Sequence, residues 1–153
     1  MSALAEVLPE PPAIRRFERP DLSRHGAWML PRLLATYPHL DERSVASWLQ
    51  NVINNNECLF LFQENAVALA QAVASNSLSP EPVIWERFVW VEDPKDKAQI
   101  EAATGFYDYI RIWAKHQGAK VLVVEELSDV PHEMIKDVLD KRLFSRQQWF
   151  ARI

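Results

Sequence analysis

Hydrophobic residues recur with two different periods along the chain, and each change of period marks the boundary of a predicted element. Apolar residues three or four positions apart predict four amphipathic helices. The first ends near Leu34, the second begins after Asp41, the third ends at Gly118 and the fourth begins at Pro131. Short apolar and β-branched runs predict strands at residues 14–17, 58–62, 67–74, 83–91, 121–124 and 144–153. The predicted order is β-α-α-β-β-β-α-β-α-β.

Residues at the helix ends refine these boundaries. Asp21 or Ser23 would cap the first helix and Asp41 the second, because such side chains accept hydrogen bonds from the amide groups of a first turn. Pro31 fits a first turn or a kink, which leaves open a later start for the first helix. Gly118 ends the third helix, since glycine readily adopts the left-handed conformation found at helix termini.

The arrangement of these elements predicts an α/β fold, more fully an α+β domain with a mixed sheet. Three successive strands joined by short loops favour an antiparallel meander. The apolar run 121–124 follows a helix directly, which is typical of a buried parallel strand, so residues 83–124 form a predicted right-handed β-α-β unit. Six apolar residues are expected in one core that joins the sheet to the helices: Phe60, Phe62, Val89, Ile110, Val123 and Ile135.

The first residues of the chain differ in composition from the rest. Pro9, Pro11 and Pro12 disfavour both helix and sheet, so residues 1–13 are predicted to form an extended arm. Such an arm would be ordered by a protein partner or by a neighbouring subunit of a homo-oligomer. Residues 14–153 are predicted to form a single domain, which is long enough to bury a core.

Composition narrows the functional classes. The net charge of −4 argues against a nucleic-acid-binding protein, and no apolar stretch approaches the length of a membrane-spanning helix. Cys58 is the one cysteine, so no internal disulfide can form and a cytoplasmic location is expected. The four histidines lack metal-ligand spacing with Cys58, and no metal site is expected.

A resemblance to a known family rests on residues 88–126, FVWVEDPKDKAQIEAATGFYDYIRIWAKHQGAKVLVVEE. This segment reads as a strand, a charged turn, a long helix ending in Ala114 and Gly118 with the spacing A-x-x-x-G, and a second strand. Residues 140–144, DKRLF, precede the last strand. With the order of the elements, these features resemble the GNAT superfamily of acyl-CoA N-acyltransferases over residues 14–153. The resemblance implies the GNAT fold.

The family's cofactor site is only partly matched. In GNAT enzymes coenzyme A lies where two central strands splay apart, and a loop of the form Arg/Gln-x-x-Gly-x-Gly/Ala binds its pyrophosphate at a helix start. The corresponding residues 94–105 carry neither loop glycine, and residues 92–101 hold four acids against two lysines, a net charge of −2. If acetyl-CoA binds, the resemblance implies contacts from Val89, Val91, Lys95 and Lys97; otherwise no cofactor is expected.

The implied catalytic residues are also incomplete. Glu86 lies on the strand where family members often place a glutamate that acts as general base. The alternative is a half-exposed strand glutamate that pairs with Arg87 or with a cross-strand partner. Leu139 stands where many members have a tyrosine as general acid, and Leu143 replaces a family glycine.

Two functional hypotheses follow. The first is a catalytically degenerate GNAT-like protein that acts through protein–protein contacts, which the missing glycines, the proline arm and six tryptophans favour. It is similar to small, divergent GNAT-like proteins of bacteriophage genomes, some of them virion components, so a virion location is the alternative to the cytoplasm. The second is an active acetyl-CoA-dependent N-acyltransferase with an atypical cofactor loop and Glu86 as the base.

Overall fold

Among the residues that the computed structural model describes, 13–76, 79–124, 127–139, 143–145 and 149–152, seven strands form one mixed sheet. The strands are β1 (Arg15–Arg16), β2 (Cys58–Gln63), β3 (Ala66–Asn76), β4 (Ser79–Val91), β5 (Val121–Val124), β6 (Leu143–Ser145) and β7 (Trp149–Arg152). Their spatial order is β1-β2-β3-β4-β5-β7-β6. The predicted arm lies outside the described residues except for Ala13.

Five helices cover the described part of this sheet. They are α1 (Leu22–Thr36), α2 (Glu42–Asn54), α3 (Lys97–Ala103), α4 (Gly105–His116) and α5 (His132–Val138). The predicted α/β class with a mixed sheet is therefore confirmed. None of the helices in the described ranges is long and apolar enough to cross a membrane.

The strand pairings place one parallel step at the centre of the sheet. Strands β2, β3 and β4 form the predicted antiparallel meander, while β4 and β5 run parallel from the pair Ile84–Leu122 to the pair Glu86–Val124. Beyond Glu86, strand β4 continues to Val91 without β5 beside it. The predicted final strand is instead two strands, β6 and β7, which pair antiparallel with each other.

Asp21, one of the two predicted caps, stands at the N-cap position of α1, but its side chain makes no cap hydrogen bond. The helix begins at Leu22, directly after a 3-10 turn at Arg19–Asp21, and Pro31 lies in its interior. The carboxylate of Asp21 does not cap α1, since it accepts from the backbone amide of Glu18 at 2.8 Å and from Arg15. Ser23 does not cap it either: its hydroxyl donates to the carbonyl of Pro20 at 2.9 Å. The predicted cap of α2 is confirmed, because Asp41 accepts from the amide of Ser44 at 2.8 Å.

The predicted long helix is two helices with a break at Thr104. The Thr104 hydroxyl donates to the carbonyl of Glu101 at 2.6 Å, a local bond of the kind that competes with regular helix. Gly105 then opens α4, where a Cβ atom would lie 3.1 Å from Cδ1 of Ile14. The absence of a side chain there lets the start of β1 approach the first turn of α4. Gly118 ends α4 with a φ of +79°, as its position predicted.

The expected single core is divided into two cores, because the sheet lies between the helices that pack on its two faces. One lies under α3, α4 and α5 and contains Val89, Ile110 and Ile135; the other lies under α1 and α2 and contains Phe60. Val123 is buried, whereas Phe62 is only partly buried and packs against the second core. Cys58 is buried in the second core, as expected of a small apolar side chain.

Candidate functional site

The turn between β4 and α3 is where the GNAT resemblance puts a pyrophosphate. Asp96 stands at the N-cap of α3, and its carboxylate accepts from the amides of Ala98 at 2.9 Å and Gln99 at 3.4 Å. The amide of Lys95 donates to Asp93 at 3.1 Å, while the amide of Asp93 donates to the side chain of Gln99 at 2.8 Å. Four backbone amides at this turn and helix start therefore already donate to nearby side chains.

The edge of β4 beyond Glu86 is covered in a similar way. Residues 127–129, which we call the capping segment, run beside it. The amide of Asp129 donates to the carbonyl of Val89 at 2.9 Å, and the Asp129 carboxylate accepts from the amide of Val91 at 2.9 Å. The amide of Val89 donates to the Ser128 hydroxyl at 3.2 Å. The capping segment thus bonds to the backbone groups of β4 that lie beyond its last pair with β5.

Two further contacts hold the capping segment in place. Arg32 of α1 donates to both carboxylate oxygens of Asp129, at 2.7 and 2.5 Å, in the two-pronged geometry that makes such pairs strong. The same guanidinium lies 4.5 Å from the ring centroid of Trp90, whose indole nitrogen donates to the carbonyl of Leu127 at 2.9 Å. Helix α1 is thereby tied across the end of the sheet to the segment that follows β5.

Glu86 is the buried charged group nearest to this edge. It is fully buried on β4, and its Oε1 accepts hydrogen bonds from the hydroxyls of Tyr107 and Ser128. The expectation of a half-exposed strand glutamate is therefore wrong. The two hydroxyls are 2.9 Å apart, so the three side chains form one network between β4, α4 and the capping segment. Because a buried carboxylate needs such donors, the network has a clear structural role.

The protonation of Tyr107 follows from its surroundings. Burial raises the pKa of Tyr107 well above its ordinary value, and the neighbouring charge of Glu86 raises that pKa further. The phenol consequently remains a hydrogen-bond donor over the range in which most proteins work. A tyrosine held in this state stabilises a carboxylate and gives up its own proton with difficulty.

A pocket of about 290 Å³ opens on the opposite face of the sheet, beside α2. Its walls include Tyr37, Trp48 and Arg87. The guanidinium of Arg87 bonds to Gln71 at 3.1 Å and lies 5.0 Å from the ring centroid of Trp85. Glu86 is not among the described residues that line the pocket, because it faces α4 on the other side of β4. The candidate base and this concave surface are therefore separated by the sheet.

The predicted site residues lie in three different parts of the structure. Glu86 joins Tyr107 and Ser128 in the interior; Val89 and Val91 present backbone groups to the capping segment; Lys95 and Lys97 are exposed on the turn before and at the start of α3. Leu139 is buried in the core under α4 and α5, and the side chain of Leu143 lies outside the described residues. Within the described ranges no cluster of three or more metal-ligating side chains occurs.

Sequence reasoning missed four residues that shape this site. They are Arg32, Tyr107 (predicted only as part of a buried helix face), Ser128 and Asp129. A signal existed for Tyr107, because a buried tyrosine usually needs a partner for its hydroxyl. The polar pair Ser128-Asp129 stands between a buried strand and Val130-Pro131, which also marks a turn with backbone bonds to satisfy.

The residues present do not fit coenzyme A bound in the manner of the family. A pyrophosphate would meet the carboxylate of Asp96 at the helix start, and the β4 amides that would pair with the rest of the cofactor already donate to Ser128 and Asp129. Both sets of donors would have to be released first.

Several solved structures that superpose on this chain are acetyltransferases. The aminoglycoside antibiotic 6'-N-acetyltransferase AAC(6')-Ih from Acinetobacter baumannii superposes with a TM-score of 0.57 at 19% identity, over 83% of this chain and 88% of that chain. The aminoglycoside 6'-acetyltransferase type Ii gives 0.56 at 14% identity, over 92% and 96%. An acetyltransferase from Vibrio fischeri gives 0.53 at 17% identity, over 78% and 98%.

These likenesses concern the fold and not the substrate, since the identities are low. No protein-family model matches the sequence, and a search of curated proteins finds no match. The superpositions nevertheless extend over 78–92% of this chain. The chain therefore has the fold of the GNAT acetyltransferases, as its sequence resemblance predicted.

Proposed function

We propose that this protein is a GNAT-fold binding protein without acetyl-CoA-dependent activity, and that it acts through contacts with other protein chains. One observation carries the proposal. The backbone amides at the start of α3 and along the edge of β4 donate to carboxylates of the same chain, Asp96 and Asp129. These are the groups that a GNAT enzyme would offer to its cofactor.

The charge of the two aspartates adds to this effect. A carboxylate at a helix N-cap is stabilised by the amides and the dipole there, and it repels a second anion. The charges of the exposed Lys95 and Lys97 are balanced by Asp93 and Asp96 of the same turn. A pyrophosphate would therefore gain little attraction on approach.

Calorimetric titration of the full chain with acetyl-CoA tests the proposal. We expect no binding at millimolar ligand. A variant in which Asp96 and Asp129 are both changed to Asn serves as the matched comparison, because it removes the two charges and keeps side chains of similar size. Micromolar binding by the wild-type chain, or ordered phosphates at residues 95–101 after a crystal is soaked in coenzyme A, would refute the proposal.

An active N-acyltransferase is the second candidate, and the network of Glu86 favours it. A buried carboxylate with two hydroxyl partners lies at the point where β4 and β5 stop pairing, which is where the resemblance puts the reacting thioester. Catalysis would require the capping segment to leave the edge of β4. If amines are acetylated with release of free thiol, Glu86→Gln should abolish turnover, whereas Tyr109→Phe on the exposed face of α4 should not. A cytoplasmic or virion location stays a prediction.

A further inference from the structure

The outer face of α4 carries an apolar groove that the described residues leave uncovered. The groove has a volume of about 360 Å³ and is lined by Arg16, Tyr109, Ile112, Trp113 and His116; we call it the α4 groove. Tyr109 is 38% exposed and Ile112 is 50% exposed. They are two of the three large hydrophobic side chains exposed in the described residues, the third being Leu127. Apolar side chains concentrated in one concave surface are typical of a docking site.

The charge of the α4 groove limits what can occupy it. Two of its described lining residues, Arg16 and His116, carry basic side chains, and none is acidic. Lys115 is exposed in the same last turn of α4. An occupant that matches this surface needs apolar side chains for the floor and acidic side chains for the rim.

Residues 1–12 have this composition. They contain Glu6 and Glu10 and no lysine or arginine, and they also contain the apolar residues Leu4, Val7 and Leu8. Pro9, Pro11 and Pro12 then favour an extended connection to Ala13, which adds roughly 3.1 Å per residue. The arm thus has apolar side chains for the floor of the α4 groove, acidic side chains for its rim, and an extended connection to its own domain.

The direction of β1 favours the arm of a second copy over the chain's own arm. Ile14 packs at the first residue of α4, against Gly105, whereas Arg16 lines the groove with residues of the last two turns of α4. The chain therefore enters β1 from the end of α4 that is farther from the groove. Its own arm would have to reverse direction before Ile14 to reach Ile112.

We propose that the protein forms a homodimer in which the arm of each copy, residues 1–12, docks in the α4 groove of the other. Leu4, Val7 and Leu8 would cover Tyr109 and Ile112, and Glu6 and Glu10 would face Arg16 and His116. Reciprocal exchange closes the assembly at two copies, because each copy supplies one arm and one groove. This inference rests on the proposed function, to which it adds the partner and the surface.

Sedimentation velocity of the full chain over a range of concentrations tests the dimer. We expect Leu8→Asp in the arm and Ile112→Asp in the groove each to raise the dimer dissociation constant about a hundred- to ten-thousandfold, because the buried apolar side chain is lost at both of the reciprocal contacts. Leu127→Asp is the matched control, since it places the same charge at the exposed apolar residue outside the groove, and it should leave the constant unchanged. Circular dichroism checks that each variant is folded.

Charge exchange then tests the pairing of arm and groove. Arg16→Glu should weaken the dimer, and the addition of Glu6→Lys and Glu10→Lys to the same chain should restore it. A wild-type chain that stays monomeric at every concentration overturns the inference, and so does a dimer that Leu8→Asp or Ile112→Asp leaves intact. Titration of the same samples with acetyl-CoA distinguishes failure of the dimer from failure of the proposed function. If an arm-dependent dimer binds the cofactor, only the proposed function is contradicted. If a monomer binds no cofactor, only the dimer is contradicted.

Discussion

The two places where the GNAT resemblance puts coenzyme A are both closed by aspartates, but they are closed in different ways. At the start of α3, Asp96 binds amides two and three residues further along the chain. At the edge of β4, Asp129 binds the amide of Val91, 38 residues away, and is held by Arg32, 97 residues away. The first closure belongs to the helix end itself, whereas the second depends on the whole tertiary arrangement.

This difference has an energetic consequence. A helix cap can be lost without disturbing the rest of the domain, because its bonds lie within one turn. The Arg32–Asp129 pair joins α1, β4 and the segment after β5, so its loss affects three elements at once. We therefore expect the edge of β4 to be the more costly place to open, and the following predictions test that expectation.

Asp129→Ala should have the largest effect, a loss of about 3 kcal/mol in the free energy of unfolding, because it removes one partner of a largely buried ion pair and a bond to Val91. Urea unfolding measures this loss. Asp108→Ala is the control, since Asp108 also pairs with an arginine, Arg111, at 2.5 Å but is 54% exposed in its side chain. That change should cost roughly 0–1 kcal/mol. Equal losses would contradict the contrast.

Tyr107→Phe should cost about 1–3 kcal/mol, because Glu86 and Ser128 each lose a partner in the interior. The raised pKa of Tyr107 also predicts a pH effect. The folded state holds the phenol proton more tightly than the unfolded state does, so this contribution is complete below the ordinary tyrosine pKa of about 10 and is lost at higher pH. Urea unfolding near that pH should show a smaller alkaline loss in Tyr107→Phe than in the wild type.

Asp96→Ala should cost about 1 kcal/mol, the usual cost of a lost helix cap. Asp96→Asn should retain most of the stability, because the amide oxygen still accepts from the first turn. Asp41→Ala, which removes the corresponding cap of α2, provides the reference in the same unfolding assay. If Asp96→Ala lowers the free energy of unfolding as much as Asp129→Ala does, the bonds at the start of α3 also stabilise other elements, which contradicts the contrast.

The smallest effect is expected from His25 at mildly acidic pH. Its Nδ1 accepts from the Trp28 indole at 3.0 Å, so Nε2 carries the proton that is donated to the Gln63 carbonyl at 2.7 Å. Burial lowers the pKa of His25, so the unfolded state binds the proton more readily and stability falls as the pH falls. From an unfolded pKa of about 6.5, the loss between pH 7 and 6 is at most about 0.7 kcal/mol. His25→Gln should remove this part of the pH dependence of unfolding.

Much of the fold could be predicted from residue patterns. The meander β2–β4, the parallel strand β5 and the helix ends at Asp41 and Gly118 agree with the sequence analysis. Where the patterns left alternatives open, contacts with neighbouring elements decided between them. Pro31 lies inside α1 between the fully buried Met29 and Leu33, whose packing stabilises a helix that the proline alone would interrupt.

The candidate site was less predictable. Glu86 could be singled out by its strand position, yet its complete burial depends on Tyr107 and Ser128, which are 21 and 42 residues away. The role of the N-terminal arm and the absence of a cofactor stay predictions.

By itself the sequence determined most of the elements, the cap of α2 and the missing glycines, because hydrophobic period, capping and glycine conformation act between residues a few positions apart. Only the tertiary structure decided that Asp129 takes the amide of Val91, that Arg32 holds it there and that Glu86 faces α4 away from the pocket. These contacts depend on where β5 ends beside β4, and the end of a strand pairing is set by the packing of the whole sheet and its helices.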